Sequence, residues 1–144
     1  MTKRRKSRES ALQVLYQWDI EQPDDQKGSA HFREHFLLKE EDPFLEKIIE
    51  GVREHCQEID RLIERYSENW RLSRISPIDR TILRMAIFEL LFCEDIPPKV
   101  TLNEAVDLGK RYGSEHSGSF INGILDRILN EVVRKPIQAV LTKP

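Results

Sequence analysis

The stretch SPIDRTILRMAIFELLF, residues 76–92, limits what this chain can fold into more than any other. Ser76, Pro77 and Asp79 supply a capping hydroxyl, a first-turn proline and an acid at the third helical position, so a helix begins there. Beyond that start, Ile78, Ile82, Leu83, Met85, Phe88, Leu90, Leu91 and Phe92 leave only a narrow polar strip. A helix that is apolar nearly all round is stable only when other elements enclose it. The rest of the sequence has to supply them.

It supplies helices. At 100° per residue, Ala11, Leu12, Val14, Leu15, Tyr16 and Trp18 share one arc of an opening helix that runs to about Ile20. Residues 21–29 carry turn chemistry, and a short amphipathic segment is expected over 30–38. Asp42-Pro43 predicts a capped helix to about Tyr66, with Phe44, Ile48, Ile49, Val52, Ile59, Leu62 and Ile63 inward. Its Gly51 costs about 1 kcal/mol against alanine but admits a close neighbour. After the irregular SENWRLSRIS and the central helix, Asp95 to Pro98 marks a stop.

Thr101-Leu102-Asn103-Glu104 reads as a capping box, opening a helix whose inner face is Leu102, Ala105, Val106, Gly109 and Tyr112. Gly113 ends it as a left-handed residue. A last helix runs from about Ser117 to Val133, with Phe120, Ile124, Leu125, Ile128 and Val132 inward, and Pro136 stops it. No stretch alternates with period two. The expected fold is all-α: about seven helices in two packed subdomains, residues 1–75 and 76–135, with a tail over 136–144.

Several function classes drop out. The phosphate-loop, dinucleotide, nucleophile-elbow and HExxH patterns are absent. Cys56 and Cys93 stand far apart without a CxxC or Cys/His spacing, and His31, His35, His55 and His116 lack partners at ligand spacing. No metal, cofactor or catalytic residue is expected. Nor is a signal peptide or membrane span, which points to a cytoplasmic protein.

The charge is polarised. The formal net charge is −2, yet Lys3, Arg4, Arg5, Lys6 and Arg8 crowd the first eight residues, so the remainder carries about seven net negative charges. Arg4, Arg5 and Arg8 continue the arc of the apolar stripe, so one face changes from basic to apolar, and its basic end is expected to project rather than pack. Positive charge at a helix N-terminus is disfavoured by about 0.3–1 kcal/mol. A bound polyanion would offset that cost, whereas a solubilising arm is the plainer alternative.

Further along, SEHSGS joins two helices by capping chemistry. The same N–H groups and hydroxyls beside Phe120 would also suit an anion next to a stacking surface. Trp18 and Trp70 are expected in the core. Tyr16 and Tyr112 sit at the edges of their helical faces, where a hydroxyl can stay exposed.

The blocks RRKSRESALQVLYQWD and ISPIDRTILRMAIFELLFCEDIPPKVTLNEAVDLGKRYGSEHSGSFINGILDRI closely resemble the NusB family of bacterial transcription antitermination factors. That resemblance implies an all-helical protein without catalytic activity. It would bind boxA-type RNA together with a small ribosomal protein acting as NusE, and join other Nus factors on RNA polymerase. Residue by residue it implies RNA contacts from Arg4, Arg5, Lys6, Arg8, Tyr16, Arg80, Tyr112, Gly113, His116, Ser117 and Phe120, and partner contacts from Tyr16 and Asp79. An apolar strip on the opening helix leaves room for a homodimer. Two other readings stay open. One is an RNA-recognition appendage like those fused to ribosomal RNA methyltransferases; the other is a helical interaction module without RNA affinity.

Overall fold

The computed structural model describes residues 2–21, 42–68 and 70–134; the expected segment at 30–38 and the tail at 136–144 lie outside them. Six helices are seen among these residues: α1 (Lys3–Glu21), α2 (Pro43–Glu54), α3 (Cys56–Tyr66), α4 (Pro77–Phe92), α5 (Pro98–Tyr112) and α6 (Ser117–Ile128). A 3-10 turn, Leu72–Arg74, precedes α4, and α6 widens into π-turns over Leu129–Arg134. No strand occurs among the described residues.

α4 is the enclosed helix that its composition demands. Asp79 and every residue from Thr81 to Glu89 are buried, and α1, α2, α3, α5 and α6 all pack against it. Its start follows the sequence signal, with Ser76 Oγ accepting from the Asp79 amide at 3.2 Å. Asp42 caps α2 in the same way, through the Leu45 amide at 3.1 Å. The α1 stripe of Ala11, Leu12, Val14 and Leu15 is buried in the common core, so it is no free surface for self-association.

Gly51 has the role that its position foreshadowed: a Cβ there would overlap the Phe88 ring. That ring cannot easily yield, because it stacks on Phe92, whose centroid is 5.4 Å away and itself lies 4.2 Å from the His55 ring.

Four local expectations differ. The helix expected over 43–66 is two helices that meet at His55, and the bend lets the segment follow α4 from the α1 side to the α6 side. Thr101 is not a cap. α5 begins earlier, at Pro98, and the buried Thr101 hydroxyl donates to Glu89 Oε1 at 3.1 Å. Gly113 is extended (φ −97°), not left-handed; glycine is needed there because a Cβ would lie 2.8 Å from the Gly109 carbonyl oxygen. Trp70 is 54% exposed rather than core, whereas Trp18 packs against the core as expected.

Candidate nucleic-acid interface

The basic start of α1 projects only in part: its three arginines are paired with carboxylates and Arg8 is buried, while Lys3 and Lys6 stand in solvent. Arg8 is buried, donating from Nη2 to Glu89 Oε1 at 2.7 Å and from Nε to Glu89 Oε2 at 2.9 Å. Arg5 grips Glu104 on α5, with Nη2 to Oε1 at 2.9 Å. The Arg5 hydrogen bond in turn holds the Glu104 carboxyl below the usual carboxylate range. Arg4 reaches Asp95 at 3.1 Å as an exposed pair, and the guanidinium groups of both Arg4 and Arg8 lie over the Phe44 ring, 5.0 and 5.1 Å from its centroid.

The expectation that this end cannot pack is thus corrected. Carboxylates from α4, α5 and their connection face the arginines and offset the unfavourable helix dipole. Arg8 has no exposure left for a phosphate. Lys3 and Lys6 are exposed without an ion pair among the described residues, while Arg4 and Arg5 remain substantially open to solvent.

Beside this clamped end lies an open groove of about 610 Å³. α1 supplies one side through Lys6, Glu9, Ser10, Leu12, Gln13 and Tyr16; Ile78 from the start of α4 and Tyr112 from the end of α5 complete it. Lys6, Glu9, Gln13 and Tyr16 recur at intervals of three and four, one stripe of a helix. Tyr16 is half-buried and Tyr112 exposed, with the Arg111 guanidinium over the Tyr112 ring at 5.2 Å. Two aromatic rings, the apolar Leu12 and Ile78, and one cation, Lys6, at the same opening are the chemistry that an unstacked base and its phosphate require.

The other expected site residues divide. Arg80 does not face this groove. Its Nε donates to Asp19 Oδ2 at 3.1 Å and its Nη1 to the carbonyls of Leu72 and Ile75 at 3.0 Å, which leaves it a structural tie. Ser117 is buried and its hydroxyl accepts from the Ser114 amide at 2.9 Å, which holds the 113–117 turn together. Phe120 is half-buried against the core and does not line the groove. His116 stands exposed beside Glu115, 3.1 Å away. Asp79 is buried, and its Oδ1 has no hydrogen-bond partner among the described residues.

Residue-level reasoning missed Glu9, Arg111, Gln13 and Ile78 in this region. For Glu9 and Gln13 the signal was present: both share the stripe of Lys6 and Tyr16.

Among the described residues no group of His, Cys, Asp and Glu could hold a metal ion, and no helix is long and apolar enough to cross a membrane. The chain is 48% identical over 145 residues to the transcription antitermination protein NusB of Syntrophus aciditrophicus, covering 100% of this chain and 90% of that one. It is 47% identical over 137 residues to the NusB of Myxococcus xanthus, covering 89% and 95%. Its structure is similar to that of T. maritima NusB, with a TM-score of 0.82 at 39% identity over 96% of this chain and 98% of that one. It also matches a chain from a structure of the antitermination factors NusB and NusE in complex with double-stranded RNA, with a TM-score of 0.75 at 29% identity, covering 88% and 96%. The profile of the NusB family matches residues 5–130, and with these likenesses over nearly the whole chain it follows that the chain belongs to the NusB family.

Proposed function

We propose that this chain is a non-enzymatic, cytoplasmic transcription antitermination factor that binds boxA-type single-stranded RNA together with a small ribosomal protein acting as NusE. The observation that carries the reading is the groove between Tyr16 and Tyr112, with Lys6 on its rim and the open cations of the α1 start beyond it. Bases are read by stacking and edge contacts, which only unpaired nucleotides offer. Phosphates are held by Lys3, Arg4, Arg5 and Lys6. Arg8 positions this set from beneath and does not touch RNA. The related NusB solved with NusE and double-stranded RNA supports both partners; single-strandedness rests on the groove.

Salt dependence tests the phosphate set. Four neutralised phosphates give a slope of log affinity against log salt of about −3, using roughly −0.7 per phosphate for a single strand. Lys3→Ala with Lys6→Ala is expected to bring that slope to about −1.5 in filter binding or fluorescence anisotropy, without unfolding the chain. An unchanged slope removes these lysines from the contact.

Asp79 fits the protein partner better than RNA. Asp79 keeps 8% of its surface open, so a partner N–H can meet the carboxylate there, and the added pairing offsets part of the cost of holding its other oxygen buried without a donor. A hydrogen bond to a charged group is worth about 1.5–3 kcal/mol, so Asp79→Ala is expected to weaken binding of the ribosomal protein by about tenfold or more. Stability of the isolated chain should change by no more than about 1 kcal/mol, the scale of an acid near a helix N-terminus. Calorimetric titration with the partner decides it, and unchanged partner affinity would place Asp79 outside the interface.

A further inference from the structure

Glu9 is an acid in a groove that, on the reading above, meets a polyanion. A carboxylate there repels phosphate, so it should be replaced at no loss unless it does something else. Its two oxygens are both engaged across the groove: Oε1 accepts from Arg111 Nη1 at 2.6 Å, and Oε2 accepts from the Tyr112 hydroxyl at 3.3 Å. Both donors sit in the last turn of α5, immediately before Gly113. Arg111 also covers one face of the Tyr112 ring, 5.2 Å from its centroid.

One carboxylate from α1 therefore holds across the groove a cation that Asp107 of α5 also approaches, at 3.7 Å, and an aromatic ring that α5 alone would leave free to turn, since Tyr112 is 45% exposed. The polarity of the tie is the reverse of its neighbour. At Arg5 and Glu104, α1 gives the cation and α5 the acid; at Glu9 and Arg111, α1 gives the acid and α5 the cation. Two opposed pairs set the register of the helices on either side of the groove, and a ring ordered in advance loses less freedom on binding.

We propose that Glu9 is a positioning residue for RNA recognition: by holding Arg111 and Tyr112 it presents the uncovered face of the Tyr112 ring to a base, and it therefore serves affinity despite its charge. The proposal rests on the RNA-binding reading of this groove.

The test is Glu9→Gln, with Tyr112→Phe as a second variant that removes only the hydroxyl tie. Each full chain is titrated with a boxA-type single-stranded RNA oligonucleotide and with a scrambled one of equal length. Exposed pairs of this kind contribute up to about 1 kcal/mol, or about fivefold in affinity. Glu9→Gln is expected to weaken boxA-type binding by about fivefold, with a smaller loss on the scrambled RNA, and Tyr112→Phe to move the same way. Equal tightening on both RNAs, the result for a carboxylate that only repels phosphate, overturns the proposal, and so does no change. If the parent chain fails to distinguish the two RNAs, the reading of the groove falls first and Glu9 with it.

Discussion

Replacing Glu89 by alanine is expected to destabilise the protein by about 3–5 kcal/mol, the range for removing one partner of a buried ion pair. In a chain of this size that corresponds to a fall in melting temperature of order 10 °C. The side chains of Arg8 and Glu89 are 4% and 2% exposed and joined by two hydrogen bonds. Alanine would strand a buried guanidinium, and would also take the acceptor from the Thr101 hydroxyl. Because α1 begins only five residues earlier, at Lys3, relief would come by fraying that end, and with it the presentation of Lys6 and Arg4. The triple replacement Arg8→Met, Glu89→Leu and Thr101→Val, which also removes the hydroxyl that Glu89 accepts from, should recover most of the stability, since a buried polar set exchanged for apolar groups of similar volume is often neutral or better. A single variant that melts within a degree or two of the parent would mean that the pair does not secure α1.

What could be read from the sequence follows from the range of the interaction involved. The enclosure of α4 was legible because an absent polar face is a property of sixteen consecutive residues. The caps at Asp42 and Ser76 were legible because each acts on an amide three residues on. The bend at His55 was not: no proline or glycine marks it, and it arises from the need to wrap α4. Pro98 reads in sequence as part of a stop and is in fact a start, since proline suits either place and only the packing of Thr101 against Glu89 separates them.

At the candidate site the spacing of Lys6, Glu9, Gln13 and Tyr16 is legible as one helical stripe, but an acid within a basic region gives no local sign that it serves that site. The pairing of Arg4, Arg5 and Arg8 with residues 95, 104 and 89 was beyond any local pattern. Those partners lie more than eighty positions away, and charge counting cannot tell a projecting arginine from a clamped one. The family resemblance, carried by whole blocks of sequence, reached the fold and the functional class where the side-chain geometry could not be reached.

Asp19→Ala is expected to be at least as damaging as loss of Glu89, because Asp19 answers two guanidinium groups. Its Oδ1 accepts from Arg84 Nη1 at 2.7 Å, and its Oδ2 accepts from both Nε and Nη2 of Arg80. Arg84 also donates twice to Asp60, with Nε to Oδ1 at 2.8 Å and Nη2 to Oδ2 at 3.0 Å. Burial works against the charged form of Arg84, yet the hydrogen bonds it donates to Asp60 and Asp19 hold it above the ordinary arginine value. Through these contacts the end of α1 is tied to α4, to α3, and by the Arg80 carbonyl bonds to the 3-10 turn. Removing Asp19 leaves Arg84, 7% exposed, with an unmatched donor, and Arg80, 14% exposed, with two, so a loss of about 3–5 kcal/mol or more follows. Asp60→Ala should cost less, because Asp60 is 19% exposed and solvent can reach the donors it abandons. Hydrogen exchange separates a local from a general effect. In Asp19→Ala, protection should fall first in the last turn of α1 and over residues 72–76, while the middle of α4 keeps its protection until global unfolding. A melting temperature unchanged from the parent, or the same loss from Asp60→Ala as from Asp19→Ala, would show that the carboxylate of α1 is not the hub of this network.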